Sequence, residues 1–171
     1  MVLITSCACA APPVAAGVLD VTCAPPSSNL SSYSPPLTIT PHTVTVSTTA
    51  LYGPCTSLSH PAITSGTRTA AFTITAGCLD LVGPGTITYT ITWNTGQSST
   101  ITSNYASTVA GAVLTVVSTG TVTAGLFAGD SVVATFTGPA TDITLCTLGL
   151  RHGGQRLHRR RIGDHLDLGP P

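Results

Sequence analysis

From Thr86 to Trp93 every second residue is threonine. Thr86, Thr88, Thr90 and Thr92 hold one parity, and Ile87, Tyr89, Ile91 and Trp93 hold the other. A period of two puts all the large groups on one face of a pleated strand, whereas a helix would spread them around its circumference. Threonine suits that setting because its branched Cβ restricts χ1, which disfavours helix interiors. The chain carries 31 Thr in 171 residues, with three Phe, four Tyr and one Trp. That balance excludes a helical bundle and a coiled coil.

The same alternation recurs. Thr43 to Thr49 sets Val44 and Val46 inward, and Thr69 to Thr75 sets Ala70, Phe72 and Ile74 inward. Further runs cover Ala112 to Thr123 and Ser131 to Thr137, with Gly17 to Cys23 and Asp142 to Thr147 as the first and last strands. After Trp93, the stretch Asn94-Thr95-Gly96-Gln97 predicts a hairpin with Gly96 at positive φ. Short strands without helices between them pair antiparallel, since parallel crossovers need a dozen or more intervening residues. The expected fold is all-β: an antiparallel two-sheet sandwich, immunoglobulin-like, of about eight strands over residues 17–150. Ala24 to Pro41, with five prolines, is expected to be loop with at most an edge strand.

Charge divides the chain. Only 7% of residues are charged, and there is neither Lys nor Glu. Residues 1–150 hold one Arg against four Asp; residues 151–171 hold five Arg against two Asp. That final segment contains no Thr and is expected to lie outside the fold, as a disordered basic tail or as the product of a reading-frame change. In the second case a closing strand is missing and an edge stays exposed. At the other end, residues 1–16 read as a truncated signal-peptide-like leader, with Val14-Ala15-Ala16 matching the small-x-small cleavage pattern. The segment is too short and too proline-broken to span a membrane.

Removing the leader leaves Cys23, Cys55, Cys78 and Cys146, an even set at long intervals. Their spacing matches no zinc motif, so no metal is expected. Two disulfides are, and three pairings are open. The preferred one joins Cys55 to Cys78 and Cys23 to Cys146, each bond contributing roughly 3–5 kcal/mol by loop closure.

Candidate chemistry is sparse. Gly129-Asp130-Ser131 matches three residues of the nucleophile block of GDS esterases, but those enzymes use an α/β scaffold with a downstream Asp and His; a turn before a strand accounts for it here. Asp20, Asp80, Asp130 and Asp142 are dispersed and sit beside turns, so no carboxylate pair for hydrolysis is expected. His42 and His60 fall in proline-flanked loops. No catalytic residue, cofactor or nucleic-acid partner is assigned. Tyr89 and Trp93 would form a sugar-binding platform if their face pointed outward, but Ile87 and Ile91 share that face, and a mixed stripe of this kind is normally core.

Tyr52-Gly53-Pro54-Cys55, Thr64-Ser65-Gly66-Thr67, the Ile91 to Gln97 hairpin and Gly125 to Asp130 together resemble small exported, functionally uncharacterised Thr-rich proteins of actinomycetes. The resemblance covers Val18 to Cys146. It implies export, disulfides and a sandwich, with no catalytic residues to carry over. The expected role is that of a non-enzymatic protein, secreted or held in the cell envelope. The alternative is a carbohydrate-binding or adhesive module with a cell-wall or extracellular glycan as partner.

Overall fold

The computed structural model describes residues 20–149 and 159–169. The leader, with Cys7 and Cys9, and residues 150–158 lie outside the described residues. The strands are β1 (Val21–Ser34), β2 (His42–Tyr52), β3 (Cys55–Thr56), β4 (Gly66–Ala76), β5 (Gly85–Trp93), β6 (Ser98–Ala110), β7 (Val113–Gly125), β8 (Ser131–Pro139) and β9 (Arg159–Gly169). A 3-10 turn covers Leu79–Val82, and a short helix, α1, covers Thr141–Thr147.

All pairings are antiparallel, in the order β2-β4-β5-β6-β7-β8-β9-β1, and β1 pairs back onto β2 from Ser28 to Ser34. The sheet closes into an eight-stranded barrel, correcting the expected two-sheet immunoglobulin-like sandwich. The reason lies in two segments that the sequence reading kept out of the sheet. Arg159–Gly169, expected as tail, is β9 and fills the slot between β8 and β1. Ser131 stands opposite Gly169, and Val21 opposite Leu168. Leu166 and Leu168 of this strand are fully buried.

The segment expected as a proline-rich loop is mostly strand β1. Pro25 and Pro26 fall where its register against β9 shifts, between Cys23 and Ser27, so the missing N–H groups interrupt no regular ladder. Residues 141–147, expected as the last strand, form α1 instead. Its buried side chains, Ile143 and Cys146, are three apart, the spacing of one helix face.

The four expected cysteines are bonded, in another pairing: Cys23–Cys55 and Cys78–Cys146. β3 pairs with β1 and sets Cys55 directly opposite Cys23, with Cα atoms 4.0 Å apart. Helix formation by residues 141–147 carries Cys146 to the start of the 3-10 turn, where Cys78 sits. The bonds close intervals of 32 and 68 residues, each stabilising by about 4 kcal/mol on loop entropy.

The Thr86–Trp93 alternation is realised as a barrel wall. Tyr89, Ile91 and Trp93 are buried and the threonines exposed. Outside, Thr88 pairs with Thr102 (2.9 Å) and Thr90 with Thr100 (3.1 Å), so the hydroxyl ladder bonds across β5 and β6. The hairpin forms as expected, with Gly96 at φ +84° and its N–H donating to Trp93 O. Inside, one cluster built on Trp93, Ile63, Ile91, Ile101 and Leu168 plugs one end. A second, around Tyr33, Leu37, Val44, Val46 and the Cys78–Cys146 bond, closes the other.

Pairing is full around the barrel except at one seam. β4 and β5 pair only at Gly66 with Trp93 and Thr67 with Thr92, after which the strands diverge. The 3-10 turn lies in the connection between them.

Close strand contact at β6 and β7 depends on Gly120. A Cβ there would collide with Thr102 O and the Ser103 backbone, whereas one at Gly83 would meet nothing within 4 Å. Gly120→Ala should therefore lower stability by roughly 2–3 kcal/mol, and Gly83→Ala should leave it within about 0.5 kcal/mol, as read from urea unfolding.

Candidate ligand-binding cavity

Where β4 leaves β5, its inward stripe loses a covering partner. Phe72 and Ile74 keep the inward parity expected of them yet are 39% and 38% exposed, because the neighbouring strand has swung away. Their outward neighbours are Thr69, Ala71, Thr73 and Thr75. The space enclosed is a cavity of about 210 Å³ between the two core clusters, open to solvent. An apolar protein cavity of about 150 Å³ is enough to take up benzene. This one has room for a small organic molecule.

Register explains how its walls are graded. Asn29 stands opposite Ala50, and Ala50 opposite Arg68, so one inward row across β1, β2 and β4 reads Asn, Ala, Arg. The next rows toward the α1 end are Ser31, Thr48, Ala70 and then Tyr33, Val46, Phe72. Polarity is thus concentrated beside the apex of the seam and fades along β4 toward Ile74 and Ala76.

Arg68 is the unexpected group. Only 8% of it is exposed, and its guanidinium lies 4.6 Å over the Tyr89 ring. Its Nε has no hydrogen-bond acceptor, and among the described residues no carboxylate forms an ion pair with it. Asp80, which also lines the cavity, accepts instead from the Gly77 N–H at 2.7 Å. Desolvating a cation is unfavourable by several kcal/mol, and a cation–π contact offsets about 2 kcal/mol or more of that. Arg68 thus rests on an aromatic face, with its Nε unpaired and no counter-charge among the described residues. Asn29 Oδ1 on the same cavity is also buried without a hydrogen bond, and Tyr89 Oη is buried close to Ser103. Burial pushes the Tyr89 phenol above its ordinary value, against smaller opposing effects of Arg68 and Ser103. It therefore stays a neutral donor.

The sequence singled out Tyr89 and Trp93 as a platform. They are 7% and 2% exposed, so neither offers a ring to the outer surface. Tyr89 lines the cavity; Trp93 lies in the plugged end, its Nε1 donating to Ser99 Oγ at 2.9 Å and its ring edge-on to Phe127. Ser131, the GDS serine, donates to Gly169 O at 2.9 Å. His60 contacts Ser59 Oγ and the Phe127 ring, and His42 contacts Thr38 and the Thr40 carbonyl. Among the described residues no three His, Cys, Asp or Glu side chains gather as a metal site.

The dispersed aspartates do yield one pair. Asp20 and Asp130 meet where β1 and β8 begin, outside the cavity lining. Burial, then the Asp20 charge and a hydrogen bond to Asp20, push the Asp130 carboxyl up to about 6. No motif could have revealed this, since the two are 110 residues apart in sequence. Arg68 was equally hidden, as a lone charge in a Thr-rich strand. No family model, curated protein or solved structure matches the chain.

A carboxyl raised from 3.8 to about 6 on folding holds its proton more tightly in the folded chain. Its stabilising contribution is full below its ordinary value and lost as pH rises through about 6. The melting temperature of the native protein relative to Asp130→Asn should accordingly fall between pH 4 and 7, approximate bounds taken from the two proton affinities. Parallel profiles would show that the pair is not coupled to folding.

Proposed function

We propose that this chain is a non-enzymatic exported binding protein that takes a small molecule into the barrel through the seam between β4 and β5. The observation that carries this reading is Arg68, a buried cation on the wall of a solvent-open cavity with no counter-charge among the described residues. A chain selected only to fold would gain by replacing it. Cavities that bind small molecules join an apolar lining to a few convergent polar groups, and Arg68, Asn29 and Tyr89 are such a set beside Phe72 and Ile74.

Export is supported by the two disulfides, which persist in oxidising compartments, and by the resemblance and leader pattern in the sequence. Among the described residues no helix is long and apolar enough to cross a membrane. A membrane barrel turns an apolar band outward and a polar lumen inward; β5 does the reverse, with Thr86, Thr88, Thr90 and Thr92 outside. The glycan module loses its main support, because the rings it relied on face inward.

Two measurements test the reading. Octan-1-ol titrated into the oxidised full-length protein should shift the amide NMR signals of Arg68–Ala76 and Gly85–Ile91 saturably, and Phe72→Arg should abolish the shifts while leaving the circular dichroism unchanged. Diffuse, non-saturating shifts would overturn it. In the ligand-free protein, Arg68→Met should raise stability by about 1 kcal/mol or more, since an apolar group of similar length replaces an unpaired buried charge. A loss of stability would mean that Arg68 serves the fold.

A further inference from the structure

We propose that the ligand is a monocarboxylate with a short apolar body, its carboxylate on Arg68 and its body running along β4 past Phe72 and Ile74. This rests on the reading of the cavity as a binding site and adds the chemistry of what enters it. Arg68 selects an anion. Arg68 lines the cavity with its Nε buried and without an acceptor, and guanidinium meets a carboxylate with charge-assisted, often paired hydrogen bonds. Tyr89 Oη, neutral and buried, adds a donor beside it.

The layering of the wall selects an amphiphile. Beyond the Asn29-Ala50-Arg68 row, the cavity wall carries Phe72, Ile74 and Ala76 in turn on β4, and Thr48 and then Val46 on β2. Arg68 and Ala76 are eight residues apart, roughly 25 Å along the strand. Asp80, hydrogen-bonded to Gly77 just past Ala76, is at the far end. The acidic group therefore faces the tail of such a ligand and not its head. A doubly charged anion fits poorly, because its second charge would lie against Phe72 and Ile74 or approach Asp80. A cavity of about 210 Å³ bounds the enclosed body to a short chain or single ring.

The test is calorimetric titration of the oxidised full-length protein at neutral pH with three probes of equal chain length: octanoate, octan-1-ol and octylammonium. Octanoate should bind at least tenfold more tightly than octanol, and octylammonium should give no heat of binding. Arg68→Met should collapse the preference for octanoate over octanol, while Arg68→Lys, which keeps a cation, should retain part of it. Equal or tighter binding of octanol, or a preference that survives in Arg68→Met, overturns the carboxylate assignment and leaves the cavity reading standing. If none of the three probes binds, both fall together.

Discussion

Closure of the hydrogen-bond ladder is the constraint from which the rest of this structure follows. β1 pairs with β9 along one edge and with β2 and the short β3 along the other, and through it the sheet meets itself. A closed sheet has a single interior, so every inward parity must share it. At one end the sharing is a packed core around Trp93. Toward the other end the inward residues include Asn29, Ser31, Tyr105, Ser107 and Ser118, which do not fill the space as aliphatic groups would. The cavity is what remains between the two.

The seam is the complement of that closure. Two paired rows at Gly66 and Thr67 hold β4 to β5, and above them each strand keeps its ladder only with its other neighbour, β2 or β6. Gly66 makes the junction tight: a Cβ there would press on Ile91 and Trp93. Two residues on, the side chain is arginine. Position 68 is thus the first inward site on β4 after the strands part, and the long side chain reaches over Tyr89 of the strand that has moved away. Its charge sits where the barrel passes from filled to open.

Much of the wall was legible from the sequence, because side-chain parity is a local property of a strand. The Thr86–Trp93 face, the inward Val44, Val46, Phe72 and Ile74, the Gly96 turn and the four bonded cysteines could all be read from nearest neighbours. Closure could not. A sandwich and a barrel demand the same alternation and differ only in which strands meet, which is a matter of register between segments far apart in the chain. The strand that completes the ring has Arg159, Arg160 and Arg161 in it, and a run of like charge reads as solvated tail. The disulfide pairing failed for a related reason: Asp142 to Thr147 was read at period two, and as a helix it delivers Cys146 to Cys78 instead of Cys23. Arg68 and the Asp20–Asp130 pair depend on burial and on contact between distant segments, neither of which leaves a local pattern.

The two disulfides divide the labour along the barrel axis. Cys23–Cys55 fixes β3 to β1 within the packed cluster, where the strands are already held by Ile63, Ile91 and Leu168. Cys78–Cys146 fixes the start of the 3-10 turn to α1, beside the open half. That turn carries Asp80 and Leu81, which line the cavity, and it connects the two strands that do not pair with each other. Without a ladder between β4 and β5 to hold it, the segment above the seam takes its position from the covalent link and from the Leu37, Val44 and Ala76 packing around it. The cavity can therefore stay open at its side while its rim is held from above.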